Sequence, residues 1–397
     1  MTLDQIYQAA FALKGVARET ELIRAPRIDA ESEVWLKTEN LQVTGSFKVR
    51  GAYNKISRLT PEEKKRGVIA CSAGNHAQGV ALAAAKNGIR ALICIPQGAP
   101  ISKVEATRRY GAEVRLVPGV YDDACREALR LQKESGAVLI HPFDDEDVIA
   151  GQGTIGLEIL SQLPETDVVF VPVGGGGLVS GVAFAVKSLR PHCKVYGVQA
   201  AGAPGMAQSL RDGKVETLES VHTFADGIAV KRPGDLTYEL CRKYVDGVVT
   251  VTDDETATAI LALIEQHKMI AEGAGAVSVA AAMFHKADIK GKKVVCLVSG
   301  GNIDVAILSR VISRGLLKES RRGRLTIELS DHPGELQAIS AIIAGLGGNV
   351  VSVRHDRSGE ESDITACTLS VGVETRNRAH LNEIRGAILK AGYRILN

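Results

Sequence analysis

Residues 168–178 read VVFVPVGGGGL, and this stretch decides the predicted fold. Residues 168–172 form an almost wholly apolar run, which is typical of a buried strand. Four glycines follow at 174–177, and a helix is predicted over about 178–189. A strand that passes through a short loop into a helix is the repeating unit of a parallel α/β sheet.

The same unit recurs on both sides of the glycine run. The sequence predicts one group of strands at 67–71, 91–95, 114–117 and 137–140, and a second at 168–172, 195–199, 248–251 and 294–298. Helices are predicted between them, at 75–87, 102–110, 122–135, 154–163, 178–189, 253–267 and 304–317. We therefore predict an α/β domain over residues 1–318 with two parallel sheets. A smaller subdomain, at about 50–142, would be inserted in the larger one.

The pattern changes after residue 318. The charged run 318–324, KESRRGR, predicts a linker at 319–324. Beyond it the predicted order is strand, helix, strand, strand, helix, strand, at 325–329, 336–346, 349–355, 363–371, 380–391 and 393–396. This βαββαβ order is typical of a small ferredoxin-like α+β domain, predicted over 325–397.

The composition argues against several classes of protein. With 48 basic and 46 acidic residues the net charge is +2, so no nucleic-acid partner is expected. No run approaches the ~20 apolar residues of a membrane helix, and the N-terminus lacks the apolar run of a signal peptide. The seven cysteines are scattered without a CxxC pair, which indicates reduced thiols and a cytoplasmic location.

The glycine run is the strongest candidate for a ligand site. Gly174, Gly175, Gly176 and Gly177 expose consecutive amide groups before a helix N-terminus, and this arrangement favours a phosphate. The alternative is a flexible loop without a ligand. The run lacks the Lys-Ser/Thr of a nucleoside-triphosphate loop, and it lacks a GxGxxG spacing with a downstream acid, which argues against a dinucleotide.

A second candidate is Lys48, in the stretch KTENLQVTGSFKVRGAYN at 37–54. Residues 44–46 signal a turn, so Lys48 is predicted in the first turn of a helix. The helix dipole, partial burial and the neighbouring charges of Lys37 and Arg50 all favour its neutral amine. A neutral amine can attack an aldehyde. The alternative is that Lys48 is an ordinary basic residue on a solvated helix face.

Two further loops leave the carboxyl ends of predicted strands, where α/β sheets bind ligands. Residues 72–76, SAGNH, open a helix whose free amide groups could hold a carboxylate. Ser72 and Asn75 could instead be simple helix caps. Residues 299–302, SGGN, repeat the design after the last strand.

A lysine, a phosphate loop and a carboxylate loop on an α/β scaffold together suggest pyridoxal phosphate and an amino-acid substrate. Residues 1 to about 318 resemble the threonine and serine dehydratases, pyridoxal-phosphate enzymes of the tryptophan-synthase-β fold type. The resemblance rests on the order and spacing of KTENLQVTGSFKVRGA, SAGNHAQG, GQGTIGLE, VPVGGGGLVSG, ADGIAV, AEGAGA and LVSGGN.

The last 73 or so residues are similar to an ACT domain, a regulatory module. One such domain on a dehydratase resembles the medium-length form of threonine ammonia-lyase.

The resemblance implies a role for each motif. Lys48 would hold the cofactor covalently and act as the general base, and Phe47 would pack beside the ring. Asn75 would bond the ring 3-oxygen, Gly227 would line the ring, and Ser299 would face the pyridine nitrogen. The implied phosphate ligands are Gly174, Gly175, Gly176, Gly177 and Leu178, and the implied carboxylate ligands are Ser72, Ala73, Gly74, Asn75 and His76.

The implied reaction converts L-threonine to 2-oxobutanoate and ammonia, and L-serine to pyruvate. The alternatives are a serine-preferring dehydratase, a serine racemase, or a catalytically dead amino-acid sensor. Eukaryotic serine racemases carry a serine where this chain has Ala73, and acidic metal ligands where it has QAAGAPG at 199–205. We therefore expect little racemisation and no metal site. One methyl group is worth only ~1–3 kcal/mol, so the sequence does not choose between threonine and serine.

The turn DHPGEL at 331–336 follows the first strand of the C-terminal domain. In ACT domains such a turn and the next strand form an effector site at a domain interface. The residues that this implies here are Asp331, Pro333, Gly334, Leu336 and Asn349. The alternative is a capped helix in a purely dimerising module. A branched-chain amino acid is a reasonable effector in isoleucine biosynthesis, and pairing of ACT modules implies a homodimer or homotetramer.

Overall fold

The computed structural model describes residues 1–357 and 366–396. The chain divides into two compact units, residues 1–307 and residues 308–397. Each unit has its own hydrophobic core. Among the described residues, no helix is both long and apolar enough to cross a membrane.

The strands of the N-terminal unit are β1 (Leu22–Arg24), β2 (Glu33–Lys37), β3 (Val68–Cys71), β4 (Ala91–Pro96), β5 (Glu113–Val117), β6 (Val138–Leu139), β7 (Val168–Pro172), β8 (Lys194–Ala200), β9 (Gly247–Val251) and β10 (Lys293–Leu297). Its helices are α1 (Leu3–Ala12), α2 (Lys48–Ser57), α3 (Pro61–Arg66), α4 (Asn75–Lys86), α5 (Ile101–Arg109), α6 (Tyr121–Ser135), α7 (Glu146–Gln162), α8 (Gly177–Leu189), α9 (Gly205–Asp212), α10 (Asp235–Tyr244), α11 (Asp253–His267) and α12 (Gly273–Met283). Helix α13 (Val305–Lys318) leads into the C-terminal unit, which continues with β11 (Arg322–Ser330), α14 (Glu335–Gly345), β12 (Asn349–Asp356), β13 (Ala366–Glu374), α15 (Arg378–Lys390) and β14 (Arg394–Ile395).

The larger sheet of the N-terminal unit has six strands in the order β1-β2-β10-β7-β8-β9. Its pairs are parallel except β1 with β2, which is antiparallel. All five residues of β7 are buried, because helices cover both faces of a parallel sheet. One core cluster joins Val169 and Val171 of β7 to Val179 and Val182 of α8. The predicted strand–glycine–helix stretch is present, and its strand lies in the interior of this sheet.

The smaller sheet has the order β5-β4-β3-β6, and every pair is parallel. Alternate residues of β3 point to opposite faces. Ala70 packs in a cluster with Val80 of α4, whereas Ile69 packs in another with Ala124 of α6. Helices thus cover both faces, and the prediction of two parallel sheets is confirmed.

The C-terminal unit has a four-stranded antiparallel sheet in the order β12-β13-β11-β14. Helices α14 and α15 cover one face through Ile339, Ile343, Ile384 and Ile388. The predicted βαββαβ order is confirmed. Strand β11 begins at Arg322 and so includes residues 322–324 of the predicted linker. The first three residues of the predicted strand 363–371 lie outside the described residues.

Some helices differ from the prediction. Helix α7 begins at Glu146 rather than at residue 154, because the Asp145 carboxylate accepts hydrogen bonds from the Asp147 and Val148 amides and caps the helix. Helices α3, α9, α10 and α12 are absent from the prediction. Helix α12 begins in a glycine- and alanine-rich stretch whose apolar residues show no one-sided pattern, because nearly all of them are buried.

Candidate active site

Lys48 is the first residue of α2, and Phe47 is its N-cap. The Lys48 Nζ donates a hydrogen bond of 2.8 Å to the Pro142 carbonyl oxygen. The same nitrogen lies 5.2 Å from the centroid of the Phe47 ring. The predicted position of Lys48 at the start of a helix is therefore confirmed.

Two backbone hydrogen bonds hold the start of α2 against the loop after β10. The Phe47 amide donates to the Ser299 carbonyl oxygen over 3.1 Å, and the Gly301 amide donates to the Gly45 carbonyl oxygen over 2.9 Å. Ser46 and Gly300 form an isolated β-bridge between these two bonds. Lys48 and the SGGN loop are distant in sequence, and these contacts bring them into one site.

Burial lowers the pKa of Lys48 to about 8, and the Glu272 carboxylate partly opposes this shift. From the sequence, the charges of Lys37 and Arg50 are also expected to favour the neutral amine. Instead, both charges are compensated: Arg50 pairs with Glu39 and Glu158, and Lys37 pairs with Glu158. Burial is therefore the reason that an appreciable fraction of the Lys48 amine is neutral near physiological pH.

Asn75 is the first residue of α4, and its side-chain amide is held from both ends. The Asn75 Nδ2 donates to Glu272 Oε1 over 2.6 Å. Asn75 Oδ1 accepts from the Asn302 Nδ2 over 2.8 Å. These two bonds fix which way the Asn75 amide points, and they tie the predicted ligand loops 72–76 and 299–302 to Glu272.

Glu272 is a site residue that the sequence argument did not identify. It lies in the segment AEGAGA, which contributes to the family resemblance but contains no predicted site residue. Its carboxyl is buried, and burial and the nearby Asp226 raise its pKa to about 7. A Cβ on Gly300 would lie 2.3 Å from Glu272 Oε1, so this glycine leaves room for the carboxyl group.

The glycine run is tightly packed, which contradicts the alternative of a flexible loop. A Cβ on Gly175 would lie 2.4 Å from the Phe143 ring, and one on Gly177 would lie 2.7 Å from the Phe143 carbonyl oxygen. Gly176 has φ +101°, a conformation that side chains rarely adopt. Phe143, which the sequence argument also missed, is thus one wall of this loop.

Helix α8 begins at Gly177. Its first amide groups, those of Gly177 and Leu178 among them, have no partner within the helix because the preceding turn is missing. They point outward at the positive end of the helix dipole. This part of the run offers the donors that an anion needs.

The loop at residues 72–76 offers backbone rather than side-chain groups. Ser72 Oγ accepts a hydrogen bond of 3.2 Å from the Gly74 amide. The buried ring of His76 bonds through Nε2 to the Ile140 carbonyl oxygen over 2.8 Å, and burial lowers its pKa to about 3. His76 is thus neutral at physiological pH, and its amide at the start of α4 is the group available to a carboxylate.

Ser299 and Gly227 both lie against α12. The Ser299 hydroxyl donates to the Ala274 carbonyl oxygen over 3.3 Å. A Cβ on Gly227 would lie 2.9 Å from the Ala274 Cβ and 3.5 Å from Glu272 Oε1. The predicted ring contacts Ser299 and Gly227 therefore converge on the segment that carries Glu272.

The five predicted effector residues do not meet within one chain. Asp331 follows the end of β11, where its carboxylate pairs with Arg357. Asn349 begins β12 opposite Glu374, which also lies opposite Arg322 at the start of β11. The two positions are therefore separated by the length of β11, about 26 Å at the usual rise of a strand.

Comparison with known proteins defines the class. The chain belongs to the family of pyridoxal-phosphate dependent enzymes, whose family model matches residues 13–300. It is 52% identical over 397 residues to the L-threonine ammonia-lyase of Thermotoga maritima, with 100% of this chain and 99% of that protein covered. It is 46% identical to the catabolic L-threonine dehydratase TdcB of Escherichia coli K12, with 78% of this chain and 96% of that protein covered. The solved structure of maize serine racemase is similar with a TM-score of 0.75 and 38% identity, over 80% of this chain and 98% of that chain.

The residues present fit pyridoxal phosphate. Lys48 is buried and has a lowered pKa, so its amine can react with the aldehyde of pyridoxal phosphate. The amide groups of Gly177 and Leu178 suit the phosphate. The glycine run can place its backbone there only because it has no side chains, since a Cβ on these glycines would clash with neighbouring atoms. Both features belong to this chain's own geometry.

Proposed function

We propose that this enzyme is a pyridoxal-phosphate dependent L-threonine ammonia-lyase that releases 2-oxobutanoate and ammonia. The observation that carries the proposal is the buried Lys48 beside the oriented Asn75–Glu272 pair. The proposal is further supported by the similarity to the Thermotoga maritima L-threonine ammonia-lyase, which extends over the whole length of this chain. L-Serine, with one methyl group fewer, is proposed as a second substrate that gives pyruvate.

Bound pyridoxal phosphate supplies the electron sink for the negative charge that develops when an amino acid loses its Cα proton. Lys48 is the proposed base for that proton, since its lowered pKa leaves an appreciable fraction of the amine neutral at physiological pH. The amides of residues 174–178 bind the phosphate, and those of residues 72–76 bind the substrate carboxylate. Asn75, with its orientation fixed by Asn302, positions the ring oxygen.

Ser299 is the proposed partner of the pyridine nitrogen. A hydroxyl group carries no negative charge, so it does not stabilise a protonated ring nitrogen as a carboxylate would. Less of the developing charge is then drawn into the ring, which favours loss of the β-hydroxyl over transamination. Phe47 and Gly227 line the ring in this arrangement.

A serine racemase is the second candidate, favoured by the similarity to the maize enzyme. The difference lies at Ala73, because a methyl side chain cannot deliver a proton to the opposite face of Cα. The test measures keto-acid release from L-threonine and L-serine in parallel and follows the chirality of the remaining serine. Keto-acid release with little D-serine supports the lyase, whereas D-serine formation as fast as pyruvate release contradicts it.

The C-terminal unit is proposed to be an ACT-like regulatory module. Its βαββαβ order supports this. The Escherichia coli relative supports it too, because nearly all of that enzyme (96%) aligns with only 78% of this chain, which leaves a part of this chain beyond the match. The proposed effector turn comprises Asp331, Pro333, Gly334 and Leu336. Because Asn349 lies at the other end of β11, it would complete the site only from a second copy of the chain.

We further propose a homodimer or homotetramer in the cytoplasm. Strand β12 is an edge of its sheet, and Val351 and Val353 on it are 44% and 46% exposed. Apolar side chains on an open edge favour pairing with another copy. The seven cysteines are free thiols, which supports a reducing compartment.

A further inference from the structure

The C-terminal unit contains a cluster of side chains that the proposed elimination does not use. It consists of Asp331, His355 and Cys367, here called the Asp-His-Cys cluster. One ligand atom from each residue lies within 4.8 Å of the others. These are an oxygen, a nitrogen and a sulfur, the three donor types that zinc accepts in proteins.

The topology of the sheet brings the three residues together. Cys367 is in β13, directly opposite Leu329 of β11. Asp331 is the residue directly after Ser330, the last residue of that strand. His355 is near the end of β12, opposite Leu369, which is two residues from Cys367 on the same face of β13. Three adjacent strands thus each contribute one side chain at the same end of the sheet.

The spacing is close to what a tetrahedral ion requires. The His355 Nε2 and the Cys367 Sγ are 2.9 Å apart. Usual zinc–nitrogen and zinc–sulfur bonds would place such atoms about 3.6 Å apart. The imidazole would therefore move by less than about 1 Å. Asp331 and His355 are exposed and Cys367 is buried, so an ion could enter from solvent and reach the thiol.

The charges around the cluster also favour a cation. The carboxylates of Asp331 and Glu335 both act electrostatically on Cys367 and place negative charge beside the cluster. Within the described part of the chain, the buried Glu335 Oε2 has no hydrogen-bond partner. Arg357 is the opposing charge, with its Nε 3.1 Å from Asp331 Oδ1. A bound dication would replace Arg357 as the partner of Asp331.

We propose that Asp331, His355 and Cys367 form a binding site for a divalent transition-metal ion, with zinc preferred. Solvent completes the tetrahedron, and the Cys367 thiol loses its proton to solvent when the metal–sulfur bond forms. Magnesium and calcium are poor candidates because they prefer oxygen ligands. This proposal departs from the expectation of no metal site. It is independent of the proposed lyase activity, since the ligands lie in the C-terminal unit.

The test titrates the full-length holoenzyme with Co²⁺ after treatment with a chelator. We expect one Co²⁺ per chain, an absorption band from thiolate-to-cobalt charge transfer, and displacement of that band by Zn²⁺. Cys367→Ser should abolish the band. His355→Gln, on an exposed residue that leaves the core intact, should weaken binding at least about tenfold.

The matched control is Cys125→Ser. The Cys125 Sγ lies 2.7 Å from the Cys71 Sγ in the N-terminal unit, so these two neighbouring thiols are a competing place for cobalt to bind. The band should survive in Cys125→Ser. A band that is lost in Cys125→Ser and kept in Cys367→Ser would overturn the proposal, as would a wild-type chain that shows no thiolate band at stoichiometric Co²⁺. Retention of the cofactor's absorbance shows that the N-terminal unit is intact, and an unchanged far-UV circular dichroism spectrum shows the same for the C-terminal unit.

Discussion

Asn75 and Glu272 are 197 residues apart in sequence, yet a hydrogen bond of 2.6 Å joins the Asn75 Nδ2 to Glu272 Oε1. The pair links the start of α4 to the start of α12, and Lys48 acts electrostatically on the same carboxylate. The proposed ring contact of Asn75 and the pKa of Lys48 therefore depend on one buried acid.

Lys48→Ala should abolish the visible absorbance of the bound cofactor and lower the rate of keto-acid release by about 100- to 10,000-fold, as expected for loss of a general base. The measurement is an absorption spectrum together with a keto-acid assay. Lys55→Ala is the matched control, since Lys55 lies on the same helix and pairs with Asp145 and Asp147. A Lys48→Ala protein with full activity would rule out the proposed role.

The rate at which the apoenzyme captures pyridoxal phosphate should rise with pH and level off above about 8. The reason is that only the neutral Lys48 amine attacks the aldehyde, and burial lowers its pKa to about 8. The Glu272 carboxylate raises that pKa, so Glu272→Gln should move the midpoint to lower pH. Stopped-flow absorbance at several pH values gives the midpoint.

Glu165→Gln is the control for this pH dependence. Its side chain is 63% exposed and pairs with Lys293 at 3.6 Å, so the midpoint should not move. An unchanged midpoint in Glu272→Gln would mean that Glu272 does not set the charge of Lys48.

Arg50→Met should destabilise the N-terminal unit by about 3–5 kcal/mol, because it leaves buried carboxylates without their partner. Burial alone would raise the pKa of Glu39, but the Arg50 guanidinium, together with the Thr20 hydroxyl and Lys37, more than offsets this and lowers that pKa. Denaturant unfolding followed by tryptophan fluorescence measures the loss, since the chain's one tryptophan is Trp35 in β2.

Arg58→Met, at the C-cap of the same helix, is the matched control. Arg58 pairs with Asp147 near the surface, where an ion pair is worth about 0–1 kcal/mol. Adding Glu39→Gln to Arg50→Met should recover part of the loss, because one unpaired charge is removed. Equal effects of Arg50→Met and Arg58→Met would contradict the importance of the buried cluster.

Ending the chain after Leu317 should leave the cofactor bound and elimination measurable, while abolishing any response to isoleucine or valine. An effector shifts activity only if it binds two states unequally, and the proposed effector turn is then absent. Steady-state rates with and without each amino acid are the measurement.

Leu336→Ala in the full-length chain is the companion variant for the effector turn. Leu336 is 43% exposed, so this change should weaken the response without unfolding the unit. A truncated enzyme that responds as the full-length one does would place the effector site in the N-terminal unit.

The sequence by itself determined the parts of this protein that depend on local chemistry. Strand β7, the glycine run and α8 followed from an apolar run, four glycines and a helical pattern, because periodicity and turn signals act over a few residues. The βαββαβ order of the C-terminal unit and the place of Lys48 at the start of α2 followed in the same way.

Only the tertiary structure decided which distant groups meet. It placed Glu272 against Asn75 and paired Arg50 with Glu39 and Glu158. It also separated Asn349 from Asp331 and brought Asp331 close to Cys367. Such pairings depend on strand register and on which buried charges find partners. Both are settled by packing across the whole unit rather than by the residues on either side in the chain.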